Sequence, residues 1–305
     1  MMLARWVLSV FAVLILLLLA VRFTPRPGGV GAAPQGVTAP FREGWLGPPR
    51  TVATVPPSRL GRGAVLDVAD SDGEVYLLQH ASWTRAGLDG VVGPIGDPRT
   101  GSPRWIASAA GIAAAGSRVY VLDAARRRVS VWDREGIPRG SVPLGSIADP
   151  KMLQPAAVAV DPAGNIHVSA LVLSPDGAGE WLILRFAPGA SAPDTVYRRS
   201  AATTPGDGFA TPHFALDADG SLVVARATDY TLHWFGPGGE AKREAKRADP
   251  PMWPIPDTLR RRFAETEARF PAALRQMFHS PDHFPPVRDI ALLPHGRIAV
   301  LLTAA

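Results

Sequence analysis

One pattern, met five times, constrains this chain more than any other feature: an apolar-x-apolar stretch, a tight turn ending in Gly, and a second stretch with apolar residues alternating beyond that Gly. It reads Val158-Ala159-Val160-Asp161-Pro162-Ala163-Gly164 with Ile166 and Val168, then Phe214-Ala215-Leu216-Asp217-Ala218-Asp219-Gly220 with Leu222 and Val224. A third copy is Ile290-Ala291-Leu292-Leu293-Pro294-His295-Gly296 with Ile298 and Val300. Ile112-Ala113-Ala114-Ala115-Gly116, with Val119 and Val121, has a shortened turn. Leu66-Asp67-Val68 leading to Gly73, Val75 and Leu77 carries one extra residue. Side chains alternate faces along a strand, so a period of two suits a half-buried antiparallel pair, and Gly supplies the positive φ of the turn. Five hairpins of one design make a repeat architecture.

Several hairpins are followed by a further alternating pair: Val129-Ser130-Val131-Trp132-Asp133-Arg134-Glu135-Gly136, Leu182-Ile183-Leu184-Arg185-Phe186, and Leu232-His233-Trp234-Phe235-Gly236-Pro237-Gly238-Gly239. Each repeat therefore has four strands. Gly73, Gly116, Gly164 and Gly220 are separated by 43, 48 and 56 residues, close to the roughly 40–50 of one propeller blade. The 30 Gly and 31 Pro, placed between short apolar runs, fit many turns and short strands.

The alternation of Ala-Val-Asp-Pro-Ala-Gly-Asn over 159–165 with Val-Trp-Asp-Arg-Glu-Gly over 131–136 resembles NHL-repeat and TolB-like six-bladed propellers, across roughly residues 61–305. The resemblance implies an all-β, six-bladed type of β-propeller. That broad group includes sugar-lactone hydrolases, amidating lyases and binding proteins, so the fold leaves function open. The resemblance also implies that connections from the outer strand of one blade to the inner strand of the next lie on the funnel face. Gly87 to Ser108, Val142 to Pro155 and Asp249 to Pro286 are then long connections on that face, and clustered long loops mark a binding face.

Between Gly220 and Gly296 the spacing rises to 76, and the period changes. Leu259, Phe263, Phe270, Leu274, Met277 and Phe278 recur at helical spacing. The expectation is a helical insert over 249–287 with two short helices within Asp257–Phe278, Asp257 capping the first and Pro271 opening the second. The insert either contributes to a binding face or covers an exposed edge.

At the amino end, Arg5 precedes a nearly wholly apolar run from Trp6 to Val21, followed by Arg22. Sixteen residues exceed the ~7–15 of a signal-peptide core and fall short of the ~20 of a comfortable span, a gap that snorkelling arginines can close. Residues 1–23 are read as a signal anchor crossing the membrane through residues 3–23, or alternatively as a signal cleaved to release a secreted protein. Residues 24–60 are a linker: eight Pro and six Gly lie between Thr24 and Pro57, a composition that builds no core. Residues 61–305 form the propeller, on the extracytoplasmic side.

The absence of Cys excludes disulfides, thiolate metal sites and Cys nucleophiles. A lactonase-like metal centre, as the resemblance would imply, needs central Asn, Glu and Asp side chains, yet Asn165 is the sole Asn and sits in a hairpin turn. His279 and His283 are spaced for a helix face but Pro281 lies between them, so no metal and no cofactor is expected. No nucleophile elbow, Walker loop, dinucleotide fingerprint or zincin motif occurs. The clusters Arg126-Arg127-Arg128, Lys242-Arg243-Lys246-Arg247 and Arg260-Arg261-Arg262 read as solvated turns and helix faces, and a net charge of +5 asks for no nucleic acid. Trp132, Trp181 and Trp234 fall within strand patterns and read as inter-blade packing.

The resulting reading is a membrane-anchored extracytoplasmic scaffold whose partner is another protein or a small extracytoplasmic ligand. Candidate binding residues on the funnel face are His213, Arg288, Asp289, Arg126 and Asp229. No catalytic residue is assigned. The rival reading, a funnel-face hydrolase or lyase, would use Asp289 with His213 as its acid/base pair, because both precede equivalent inner strands. Since Leu302 is followed by three residues, the fifth repeat lacks room for outer strands, and a ring incomplete at the C-terminus is expected.

Overall fold

The turn glycines do what the pattern requires. Gly73, Gly116, Gly164 and Gly220 adopt φ of +78°, +54°, +83° and +80°, left-handed values that cost other residues a Cβ clash. A computed structural model describes residues 65–302 apart from 88–89, 98, 100, 146–151, 174–177, 191, 202–210, 251, 271–274, 276–280 and 294–296. In it these turns close β1 (Asp67–Ser71) onto β2 (Glu74–Gln79), β5 (Ala109–Ala115) onto β6 (Arg118–Asp123), β9 (Met152–Val160) onto β10 (Ile166–Leu173), and β13 (His213–Leu216) onto β14 (Leu222–Arg226).

Each hairpin is completed by two more antiparallel strands. β3 (Ser82–Gly87) and β4 (Gly90–Ile95) finish blade 1, and β7 (Arg128–Asp133) and β8 (Pro138–Pro143) finish blade 2. β11 (Gly179–Phe186) and β12 (Asp194–Ser200) finish blade 3, and β15 (Thr231–Phe235) and β16 (Ala241–Lys246) finish blade 4. In all four blades the pairing between third and fourth strands contains a register shift, an irregularity that increases local twist in the outer strand.

Inner strands are adjacent from blade to blade: β1 lies by β5, β5 by β9, β9 by β13, and β13 by β19 (Val287–Leu293). Burial follows the radius. The inner strand β13 is half-buried throughout, β10 is buried along its length, and the outer strand β16 is almost wholly exposed. Middle strands must be apolar on both faces because a blade packs against a neighbour on each side. The fold is all-β and propeller-like, with one short helix.

The count of blades departs from six. Among the described residues there are four complete four-stranded blades and a fifth, two-stranded hairpin of β19 and β20 (Arg297–Leu302). Blade 1 also differs from expectation. The stretch from Gly87 is not all connection, since its first part pairs as β4, and the loop to blade 2 begins at Gly96.

The insert holds one described helix, α1 (Asp257–Glu267), between β17 (Trp253–Pro254) and β18 (His283–Phe284), which pair with each other. Pro256, not Asp257, takes the N-cap position and makes no side-chain cap bond. Asp257 is instead the first helical residue, where its charge favours the positive end of the helix dipole. The expected second helix falls largely outside the described residues. Arg275, which is helical, donates to the Phe270 and Ala268 carbonyls at 3.0 and 3.3 Å, satisfying carbonyls after α1. The proposed signal anchor and linker lie outside the described residues, and among those described no helix is long and apolar enough to cross a membrane.

Candidate functional site

Strand pairing defines one rim of the propeller. In each blade the turn between second and third strands, the end of the fourth strand and the start of the first strand lie at the same end of the sheet. Blades are stitched there: Ala109 N donates to His80 O at 3.0 Å, and Val287 N to Ala227 O at 3.4 Å. The buried Asp123 carboxylate accepts from Ala107 N and Ser108 N at 3.0 and 3.1 Å, fixing the chain that enters blade 2. The insert leaves from β16 and returns to β19 at this rim.

All five candidate residues lie on it, in three separate places. His213 opens β13, and its Nδ1 stands 3.7 Å from Asp289 Oδ1 across the step from blade 4 to the fifth hairpin. The Asp289 side chain is 67% exposed. Arg288 and Asp289 are both exposed although adjacent, because the register between Val287 and Asp289 shifts and Arg288 is the extra residue; a bulge re-aims side chains in this way. Asp229, in the β14–β15 turn, holds Arg226 at 2.6 Å. Arg126 belongs to blade 2, where its guanidinium lies 4.3 Å from the Trp105 ring centroid and donates to Trp105 O at 3.4 Å. That stacking props the connection between blades 1 and 2.

Sequence reasoning did not find the cavity between blades 3 and 4. It measures about 330 Å³ and is lined by Tyr197, Arg198 and Arg199 of β12, Arg226 of β14, and His233 and Phe235 of β15, together with Val196. The three rings adjoin one another: Tyr197 to Phe235 at 5.8 Å edge-on, Tyr197 to His233 at 6.2 Å, and His233 to Phe235 at 6.4 Å. Burial pushes the His233 imidazole below its ordinary range. Glu244 opposes that shift, while the nearby Arg226 and Arg199 cations reinforce it. Arg199 of blade 3 and Arg226 of blade 4 thus converge on one ring.

His233 Nδ1 stands 3.3 Å from Glu244 Oε2. In the neutral tautomer that points its proton at this carboxylate, Nε2 is the lone-pair side. Nε2 is buried with no hydrogen-bond partner among the described residues. Two residues earlier on the same face, Thr231 is fully buried and its Oγ1 likewise has none. The signal that could have located the site is the pairing of Tyr197 and Arg199 at alternate positions of one outer strand with His233 in the next blade, legible once the blade order is known.

Among the described residues no three His, Asp or Glu side chains cluster as metal ligands; His279 and His295 lie outside them. No family model and no curated protein matches this chain. Solved structures similar to it include virginiamycin B lyase from Staphylococcus aureus, with 15% identity over 61% of this chain and 71% of that one and a TM-score of 0.37. A streptogramin B lyase shares 10% identity over 78% and 90%, with a TM-score of 0.38. A nidogen/laminin complex contributes a chain with 17% identity over 59% and 63%, and a TM-score of 0.40. The radial order of the four-stranded sheets, rather than these likenesses, identifies the fold as propeller-like.

Proposed function

We propose that this chain is a binding propeller, held at a membrane by its apolar amino-terminal run and presenting its rim outside the cytoplasm to another protein or a small ligand. The observation that carries the reading is the bulge at Arg288, which exposes two adjacent opposite charges where the insert rejoins the sheets. A rim of exposed, solvated charges beside long connections suits recognition of a partner.

Crosslinking the full chain in its native membrane and identifying what co-purifies tests this. The expected result is a discrete partner whose recovery falls when Arg288 and Asp289 are both replaced by Ala. Unchanged recovery overturns the rim assignment. A carboxy-terminal reporter fused after Ala305 is expected outside the cytoplasmic membrane, and a cytoplasmic reporter overturns the localisation.

The alternative is a hydrolase or lyase at the same rim, supported by the 3.7 Å approach of His213 Nδ1 to Asp289 Oδ1. That separation exceeds hydrogen-bond length, and a carboxylate two-thirds exposed to water lacks the desolvation that tunes a general base. Ester or lactone turnover abolished by Asp289→Asn would favour the enzyme over the scaffold.

A further inference from the structure

The cavity between blades 3 and 4 lies away from the His213–Asp289 step and has its own chemistry. Its lining holds three arginines, a neutral histidine and two further aromatic rings, and no carboxylate. Acidic partners pair with that lining: Glu180 reaches Arg198 at 3.5 Å, Asp229 reaches Arg226 at 2.6 Å, and Glu244, opposite His233 in the register, reaches it at 3.3 Å. Such an arrangement fixes the guanidinium and imidazole groups in place at the opening. The aromatic wall offers a flat apolar contact beside the guanidinium groups. At about 330 Å³ the space is at the small end of the ~300–1,000 Å³ of small-molecule sites. The fully buried Thr231 hydroxyl, on the same face as His233, has no hydrogen-bond partner among the described residues, as does His233 Nε2, so the blade beneath the opening carries unspent polar capacity.

We propose that this cleft binds a small organic anion with a flat aromatic body, its carboxylate or phosphate held by Arg199 and Arg226 and its ring laid against Tyr197, His233 and Phe235. Planar guanidinium groups match both kinds of anion through paired N–H donors. The proposal does not rest on the rim reading, which is carried by Arg288 and Asp289; the rim candidate Asp229 enters here only as the partner of Arg226.

Calorimetric titration of the full chain in detergent with phenyl phosphate, benzoate, inorganic phosphate and benzyl alcohol tests it. One aryl anion is expected to saturate at one site per chain, about tenfold tighter than inorganic phosphate or benzyl alcohol, since each of those lacks half of the recognition. Preference between phenyl phosphate and benzoate identifies the anionic group. Arg199→Gln is expected to weaken the preferred probe about tenfold and Tyr197→Leu about fivefold, while Arg118→Gln, on blade 2, leaves it unchanged. Tyr197 is a core position, so its replacement can compromise folding; Arg199 is half-exposed on an outer strand and reads the site without that risk. Failure of both aryl anions to saturate the unaltered chain, or binding by Arg199→Gln equal to the unaltered chain, overturns the proposal.

Discussion

The seam between blades 1 and 2 and the seam between blades 3 and 4 descend from one repeat and are filled in opposite ways. Three and five places after the turn glycine of blade 1 stand Tyr76 and Leu78; the same offsets in blade 3 give His167 and Ser169. Tyr76 and Leu78 join Trp83, Ile112, Val119, Val121 and Trp132 in a closed apolar cluster, with Trp83 and Trp132 edge-on at 6.3 Å. In β10 the alternation turns Ile166 and Val168 toward blade 2 and therefore His167 and Ser169 toward blade 4. Both are buried, with His167 Nδ1 and Ser169 Oγ lacking hydrogen-bond partners among the described residues. The lesson is that a propeller can vary a seam without altering its strands: one is filled by large apolar rings, while the other combines an apolar cluster around Ile183, Leu222 and Val224 with buried polar groups and a cleft at its outer edge.

Even the ionic groups are deployed differently. At the first seam Glu74 is enclosed: Arg85 donates to it at 2.7 Å, Tyr76 donates at 2.5 Å, and Arg134 stands 3.5 Å away while holding Asp72. Burial, together with that bond to Glu74, raises the Tyr76 hydroxyl well above its ordinary value, keeping it a donor. At the other seam the ion pairs are more exposed: Arg226 with Asp229 and Arg198 with Glu180 stand beside the cleft.

The largest effect expected from this contrast is mechanical. Trp132→Ala should cost about 3–5 kcal/mol of stability, as large-to-small core changes do, whereas Phe235→Ala, at the half-exposed edge of the cleft, should cost less than about 2 kcal/mol. Denaturant unfolding of the two variants checks the order, and equal losses would erase the distinction. Next, Glu74→Gln should cost about 3 kcal/mol, because it leaves the Arg85 guanidinium buried without its counter-charge; a loss below about 1 kcal/mol would show that solvent reaches the pair.

A pH series sharpens the comparison further. Burial holds His167 below its ordinary range despite the opposing Asp161 carboxylate, and His233 is held low in the same direction. Both remain neutral in the fold while the unfolded chain takes up protons near pH 6.5. Stability is therefore fully present above about pH 6.5 and falls as pH drops through it, until the folded-state values are reached. Unfolding midpoints measured from pH 8 to 5 should decline, and His167→Phe should flatten the slope. The smallest effect expected is from Thr231→Val, which removes a buried hydroxyl without a partner. It should be neutral or stabilise by up to about 1 kcal/mol, and a clear destabilisation would place a partner on that hydroxyl.

The hairpins and their order were readable because they are local: period-two alternation ending in a glycine that must adopt positive φ. Blade 1's outer pair was not, because Ser82–Gly87 has no apolar alternation and β4 contains Gly93 and Pro94, residues that usually interrupt strands. Within the insert, helical spacing located α1 but misassigned its cap, since Pro256 suits a helix start as well as Asp257 does. His213 and Asp289 could be paired in advance as the starts of equivalent inner strands. Arg199, Arg226 and His233 could not, because their proximity depends on how two blades pack, which no local pattern encodes.

Amide hydrogen exchange of the full chain reads most directly whether the seam between blades 3 and 4 admits a ligand. Without ligand, β6 and β7 should exchange most slowly and β12 and β15 faster. A saturating aryl anion should slow exchange in β12, β14 and β15 while leaving β2, β6 and β7 unchanged. Uniform exchange across both seams, or protection appearing between blades 1 and 2 instead, would contradict a ligand site at that seam.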